Sequence, residues 1–332
     1  MIFSKKYDFV AIGDITTDAF IRLKEASVHC DVDTSACQIC MNFADKIPYE
    51  FVEVVKAVGN SANASVAGAR LGLSSALVSD LGMDTNGDEC ISELKKNNVS
   101  TKYLSRHKNI QTNYHYVLWY EAERTILVRH NEYPYTLPTI TAPKWLYVSS
   151  LGGASERYHE EIMDYVEKNP EVKVAFQPGT FQMKLGVEKL KRLYARTEIF
   201  VCNVEESRRI LNTEEKDIKK LLVGIAGLGP KIVVITDGPK GAYLYDGNKS
   251  YFMRIYPDPK PPYERTGAGD AFASTFVSAL ALGKTVLEAL RIAPVNSMSV
   301  VQYVGAQKGL LTLAEIEEWL AKAPADYWPK EI

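Results

Sequence analysis

No apolar run in the sequence reaches the roughly 20 residues that a membrane-spanning helix needs. The amino-terminal stretch MIFSKKYDFVAIGD also lacks the long apolar core and small-residue cleavage site of a secretion signal. A soluble cytoplasmic protein is the expectation from these two absences. An excess of either charge is missing too: 39 Lys and Arg stand against 41 Asp and Glu, a formal net charge of -2, with the signs mixed along the chain. No long-range field gathers nucleic acid or an anionic membrane, so neither is expected as a partner. Low-complexity tracts, flexible linkers and internal repeats are absent as well. What remains is 332 residues with 46% hydrophobic content, enough for one large α/β domain or for such a domain with a smaller attachment.

Cysteine is scarce. The five, at 30, 37, 40, 90 and 202, are an odd number without a secretion signal, so reduced thiols are expected over a disulfide framework. Cys37-x-x-Cys40, with His29 and Cys30 before it, has the spacing of half a zinc site. A second Cys-x-x-Cys is missing and His29 adjoins Cys30, so small buried hydrophobes on strands and a turn are preferred over a structural metal site. Two nucleotide motifs are missing too. No Gly-x-Gly-x-x-Gly follows the first strand, which argues against a nicotinamide-dependent dehydrogenase. Gly283-Lys284-Thr285 ends like a P-loop, but Ser278 stands where that motif wants its first glycine. Gly283 reads instead as a helix C-cap and Thr285 as the next N-cap.

Short apolar runs recur along the chain: YDFVAIGDI, SSALVSDLG, KWLYVSSLG, VKVAFQPG, EIFVCN and KIVVITDG. Each has the pattern of a buried parallel strand. Between them, helical patterns cover about 60–71, 86–97, 155–168, 184–195, 204–211 and 217–226. This alternation predicts a mostly parallel sheet covered on both faces. Later, AYLYDG and KSYFMRIY flank Asp246-Gly247, a hairpin signal. Thr285-x-x-Glu288 and Thr312-x-x-Glu315 are capping boxes that place helix starts near 286 and 313. Segments 19–57 and 103–130 fit the alternation poorly and are rich in strand formers. They predict a small β-rich lid over a main domain made of 1–18, 58–102 and 131–332. Within the lid, TNYHYVLWYE puts Tyr114 and Tyr116 on one face and His115 and Trp119 on the other.

The stretch ERTGAGDAFASTFVSALALG carries the chemistry. Phe272, Phe276 and Leu280 recur at four-residue spacing, so a helix begins at about 268–270 and ends by Gly283. Gly267, Ala268 and Gly269 occupy its first turn, where open N–H groups and the macrodipole favour an anion. Asp270, just inside, sits beside that anion as a carboxylate able to take a proton from a hydroxyl. An oxyanion cradle next to a general base is what phosphoryl transfer to an alcohol requires. A helix that merely uses Gly at its start and Asp to complement the dipole would read the same, so this motif alone leaves both open.

The motif RTGAGDAFASTFVSAL resembles the carboxy-terminal signature of the ribokinase family, also called the PfkB family of carbohydrate and nucleoside kinases. Other stretches resemble that family in the same order: VAIGDITTDAF, AVGNSANASVAGARLG, LGMDTNGDE, FVCNVEESRRIL, VVITDGPKGAYLY and VGAQKG. The resemblance covers essentially the whole chain. It implies a ribokinase-like three-layer αβα sandwich with a mostly parallel sheet and a small β-rich lid. It further implies an ATP-dependent, magnesium-requiring kinase in which Asp270 activates the acceptor hydroxyl and Gly267, Ala268 and Gly269 stabilise the transferring phosphoryl group. Asp18, Gly59, Asn60 and Asn63 would hold the acceptor, and Gly82, Asp84 and Gly87 would form a family turn. Thr236, Gly238, Gly241 and Thr266 would meet the nucleotide. Asn203 and Glu206 would organise phosphate and magnesium, Glu206 through water; Asn203-x-x-Glu206 is equally a capping box. The lid would exclude water, with Phe43 and Lys46 placed to close over the acceptor.

Two departures from the family pattern bear on function. Val58-Gly59 stands for the usual di-glycine, which narrows the space beside the acceptor. Glu264-Arg265 stands for the usual Asp-Thr, whose Asp helps bind a monovalent cation in many relatives, so potassium is left open. The acceptor is expected to be a hydroxymethyl group of a small sugar, with an adenosine-like nucleoside as the alternative and a non-catalytic sugar- or nucleoside-binding regulator as the alternative from another class. A homodimer through the lid is expected.

Overall fold

The computed structural model describes residues 6–30, 37–121 and 123–332. The chain enters with β1 (Phe9–Ile12) and β2 (Thr16–Leu23), makes a hairpin of β3 (Ser27–Cys30) and β4 (Cys37–Cys40), and returns through β5 (Tyr49–Val58). Then come α1 (Asn60–Arg70), β6 (Ser75–Gly82), α2 (Thr85–Lys96), β7 (Ser100–His107), β8 (Asn113–Tyr120) and β9 (Glu123–Leu127). The middle of the chain holds β10 (Trp145–Val148), α3 (Glu156–Lys168), β11 (Lys173–Phe176), α4 (Thr180–Leu185), α5 (Val187–Arg196) and β12 (Thr197–Asn203). It continues with α6 (Val204–Leu211), α7 (Ile218–Ala226), β13 (Ile232–Thr236) and the hairpin β14 (Ala242–Tyr245) and β15 (Ser250–Met253). The end is helical, α8 (Ala268–Ala281), α9 (Val286–Val300) and α10 (Leu313–Ala321), closed by β16 (Lys330–Glu331).

Ten strands make one sheet in the order β16-β15-β14-β13-β12-β11-β10-β1-β6-β7. From β7 to β13 every pairing is parallel, and the last three strands run antiparallel at one edge. β1 shows why such strands carry no alternation: Phe9 and Ala11 enter the core under α1, α8 and α9, while Val10 and Ile12 enter the one under α3, α5 and α7. Both faces are covered, as a three-layer sandwich requires. Thr285 and Thr312 cap α9 and α10 in the reciprocal boxes expected. Among the described residues, no helix is long and apolar enough to cross a membrane.

The lid is a separate four-stranded sheet, β5-β2-β8-β9. Its register sorts the side chains. Val54, Ala19, Tyr116 and Leu127 lie side by side on the outer face, and Phe20, Val117 and Ile126 on the inner one. Phe20, Val117 and Trp119 pack on Val304 of the main domain and hold the lid down.

Two expectations are corrected. Segment 103–130 divides, because β7 pairs with β6 and becomes the edge of the large sheet, and only β8 and β9 join the lid. Two of the cluster's cysteines are neither reduced nor buried: Cys30 and Cys37 face each other across β3 and β4, both exposed, and form a disulfide. Antiparallel register, which places directly opposed side chains within bonding reach, made this pair. Cys40 is left half-buried and free, so the cluster no longer offers the thiolates of a zinc site.

Candidate active site

The carboxyl ends of β1, β10, β11, β12 and β13 open on one edge of the large sheet, the place where α/β proteins hold ligands. α8 starts there. Its N-cap, Gly267, has φ 81° and no capping side chain, so the first-turn amides have no side-chain partner, although Ala268 N–H donates to Arg265 O at 3.5 Å. Only glycine fits: a Cβ at 267 would lie 2.2 Å from Ala306 Cβ. At Gly269 a Cβ would meet nothing within 4 Å, so the approach to the helix end is open.

Two cavities meet at this turn. One, of about 590 Å³, lies under the lid and is lined by Asp18, Gly59, Asn60, Asn63, Asn203, Glu206, Thr236, Thr266, Gly267, Gly269 and Asp270. The other, of about 380 Å³, lies beyond the turn and is lined by Thr236, Gly238, Gly241, Ala268 and Gly269. The residues expected to carry catalysis, to hold the acceptor and to meet the nucleotide thus line one cavity or the other. The second cavity has an apolar wall of Ile255, Phe272, Pro294, Met298 and Val301, suited to a flat aromatic ring. Thr236, Arg265 and Gly269 touch both.

Asp270 stands one residue into the shared wall. Three amides point at it: Asn60 Nδ2 donates to Oδ1 at 2.9 Å, Gln177 Nε2 to Oδ1 at 3.1 Å and Asn63 Nδ2 to Oδ2 at 2.9 Å. These are held in turn, since Gln307 Nε2 donates to Asn63 Oδ1 at 3.0 Å and the Tyr147 hydroxyl to Gln177 Oε1. Burial pushes the Asp270 carboxyl up from the usual aspartate range, opposed by the Asn63 and Gln177 bonds and by the Arg124 charge. The result is an aimed carboxylate more basic than a solvated one.

The sequence reading missed several groups here. Gln177 follows the end of β11, and a polar residue at the carboxyl end of a parallel strand is the one signal that would have found it. Arg124, His115 and His130 line the cavity from the lid side. His115 Nδ1 lies 3.3 Å from Asp18 Oδ1, and His130 Nδ1 lies 3.2 Å from Asp14 Oδ2. Phe43, expected over the acceptor, is fully exposed and lines neither cavity; nor does Lys46.

Asn203-x-x-Glu206 is a capping box at the wall of the larger cavity. Asn203 N–H donates to Glu206 Oε2 at 2.9 Å and Glu206 N–H to Asn203 Oδ1 at 2.8 Å, a complete capping box whose two side chains also face the cavity. Burial raises the Glu206 pKa, and the negative charge of Asp270 raises it further. Asp84, by contrast, is architectural. It caps α2 through Gly87 N–H at 2.8 Å and takes Thr112 N–H and hydroxyl at 2.8 and 2.6 Å; these bonds hold its pKa low against the upward push of burial.

The chain resembles known kinases over nearly its whole length. Residues 40–313 match the pfkB family of carbohydrate kinases. The ATP-dependent 6-phosphofructokinase of Thermoanaerobacterium thermosaccharolyticum is 28% identical over 318 residues, 91% of this chain and 90% of that protein. The ribokinase of Bacillus subtilis is 28% identical over 269 residues, 79% of this chain and 87% of that one. The fold is that of Arabidopsis thaliana ribokinase complexed with ribose and ATP, with TM-score 0.76 and 21% identity, covering 95% of this chain and 99% of that one. It is equally that of the nucleoside kinase of Methanocaldococcus jannaschii, with TM-score 0.76 and 19% identity, covering 96% and 100%. Together with a mostly parallel sheet, an antiparallel lid and a helix end walled by two cavities, these matches show that the chain belongs to the pfkB family of carbohydrate kinases, phosphotransferases that act on a small sugar or nucleoside.

Proposed function

We propose that this kinase moves the γ-phosphoryl group of ATP to a hydroxymethyl group of a small sugar, with Asp270 as general base. The observation that carries the reading is the Asp270 carboxylate, aimed by three amides at the turn where the two cavities meet. The sugar lies under the lid, its hydroxyls on Asp18, Gly59, Asn60 and Asn63; the nucleotide lies beyond the turn, along Thr236, Gly238, Gly241 and Thr266. Asp270 takes the hydroxyl proton while the acceptor oxygen bonds to the γ-phosphorus and the bond to the ADP oxygen breaks. Amides of Gly267, Ala268 and Gly269 receive the charge on the phosphoryl oxygens.

The negative charge of Asp270 adds to the burial that raises the proton affinity of Glu206, and a divalent cation held near Glu206 would relieve that repulsion. Asn203 and Glu206 therefore fit water-mediated magnesium, which supplies charge neutralisation on the phosphates. Potassium fits less well. Glu264 is wholly buried and already accepts Thr266 N–H at 2.8 Å, the Thr266 hydroxyl at 2.6 Å and Gly305 N–H at 3.4 Å, with the Arg124 guanidinium at 3.9 Å. This supports turnover without a monovalent cation.

A sugar is favoured over a nucleoside because the Tyr114 and Tyr116 pair sits on the lid face opposite His115 and lines neither cavity, so it offers no stacking surface for a base there. The non-catalytic alternative loses its motive, since Glu264 and Arg265 have structural partners and a pure binder needs no aimed base. The outer face of the lid carries Val52, Val54, Tyr116 and Leu127, between 44% and 51% exposed, and supports pairing with a second copy. Sedimentation showing a monomer at micromolar concentration would remove that part.

The first test is ADP release from ATP and magnesium with ribose, fructose, other sugars, sugar phosphates and the common nucleosides. Turnover is expected on a sugar, within about two-fold the same in sodium and in potassium. Turnover on nucleosides alone would replace the acceptor. No turnover on any member, in folded protein, would remove the reading. The pH profile tests the base. Asp270 works ionised, so kcat/KM falls as pH drops through its pKa, and burial places that acid limb above the usual aspartate range. Gln177→Leu removes a bond that favours the ionised form, so the limb should move to higher pH. An unmoved limb would assign it to another group.

A further inference from the structure

The two residues that set this phosphate loop apart from the family pattern, Glu264 and Arg265, face a Glu-Arg pair in the lid. Arg124 Nε lies 3.9 Å from Glu264 Oε1, and Arg265 Nη1 lies 3.9 Å from Glu123 Oε1. Beside them Tyr263 meets Trp119 edge-on, with ring centroids 5.0 Å apart. Trp119 and Arg124 are cross-strand neighbours in β8 and β9. Three consecutive loop residues are thus engaged by the tip of one lid hairpin, through two identical dipeptides whose charges cross.

We infer that this crossed Glu-Arg contact is a clasp that couples closure of the lid to the position of the phosphate loop, with Glu123, Arg124, Glu264 and Arg265 as positioning residues. Exposed ion pairs contribute little on their own. The inner pair differs. Glu264 is 0% exposed, and Arg124 Nε is buried without a hydrogen bond, just outside reach of the carboxylate it faces. A buried, unmade donor is unfavourable, so movement of β9 toward the loop by less than about 1 Å would complete the bond. The consequences run both ways along the chain. β9 also carries Ile126, which lines the cavity under the lid. Glu264 holds both the N–H and the hydroxyl of Thr266, the residue next to Gly267 at the start of α8. A sugar that draws the lid down therefore draws the phosphate cradle into place. The outer pair, with Arg265 43% and Glu123 72% exposed, sets the register of the hairpin against the loop.

The clasp rests on the kinase reading above, and two measurements on the full chain separate their failures. Hydrogen exchange is followed with magnesium and a non-hydrolysable ATP analogue. In the unmodified protein, the analogue should protect the loop around 264–269 and also the hairpin around 119–124; in Glu123→Gln and in Arg265→Gln the hairpin should lose that protection. Protection of the loop with none in the hairpin overturns the clasp and leaves the kinase reading standing. Protection of neither overturns both. The second measurement is a double-mutant cycle on turnover of the best sugar. Each single variant should lower kcat about three-fold with the KM for ATP within about two-fold, and the double variant should lose no more than the worse single. Losses that multiply, or a Glu123→Gln variant with unchanged kcat, overturn the clasp.

Discussion

Asp270→Asn should lower kcat by about 10³-fold while ATP binding holds or tightens. An asparagine keeps the shape of the side chain but cannot accept the acceptor proton, so the step between bound substrates and bound products is the one that slows. Its amide would also face the amide donors of Asn60, Asn63 and Gln177, and one of those bonds is lost. Against that, a buried negative charge disappears from beside the site of the γ-phosphate, which removes a repulsion. Calorimetry with the non-hydrolysable analogue, set beside single-turnover rates, separates the two effects. A variant that turns over within ten-fold of the unmodified protein would take Asp270 out of proton transfer and leave its raised pKa as a by-product of burial.

Gly267→Ala should be the more damaging change to the molecule as a whole. At φ 81° any side chain is strained by about 1–2 kcal/mol. Here the new Cβ also meets backbone, lying 2.5 Å from Ala306 Cα, and overpacking of that kind costs a further 1–3 kcal/mol or so. The turn must rotate to relieve both, and with it the amides that face the phosphoryl group. Stability should fall by about 2–5 kcal/mol, and kcat by about 10²-fold. Gly269→Ala is the control. Nothing lies within 4 Å of its Cβ, and alanine suits a helix better than glycine by about 0.5–1 kcal/mol, so stability should hold or rise while turnover still drops because a methyl group occupies the approach to the cradle. Thermal melts of the two variants beside their turnover would show this split. Equal stability of both would mean that the turn at 267 adapts freely and that the glycine is not required by geometry.

Local patterns were legible because they depend on neighbours along the chain. The helix start at 268, the capping boxes at Thr285 and Thr312 and the doubly buried strands all follow from spacing of a few residues, and the structure shows each where the spacing puts it. The lid was legible as strand-rich but not in its pairing: β7 and β8 read alike, and only the sheet edge beside β6 sends the first to one sheet and the second to the other. Cys30 and Cys37 read as ordinary thiols until strand register set them opposite each other.

Family membership and the order of strands and helices are written along the chain, as are catalytic, acceptor and nucleotide residues that come to line two adjoining cavities. Motifs persist there because an anion at a helix end needs small residues and open amides whatever surrounds them. Tertiary structure alone decided how the base is held and what the lid touches. Asn60 donates to Asp270 across 210 residues of chain and Gln177 across 93, and no periodicity reports contacts at such distances. Arg124 has no signature as a charge in a strand; its meaning comes from the buried carboxylate of Glu264 opposite, which burial in a folded chain makes consequential. Glu264-Arg265, read along the chain, is a departure from a pattern. Read in space it has a partner of the same two residues, reversed in charge at each contact.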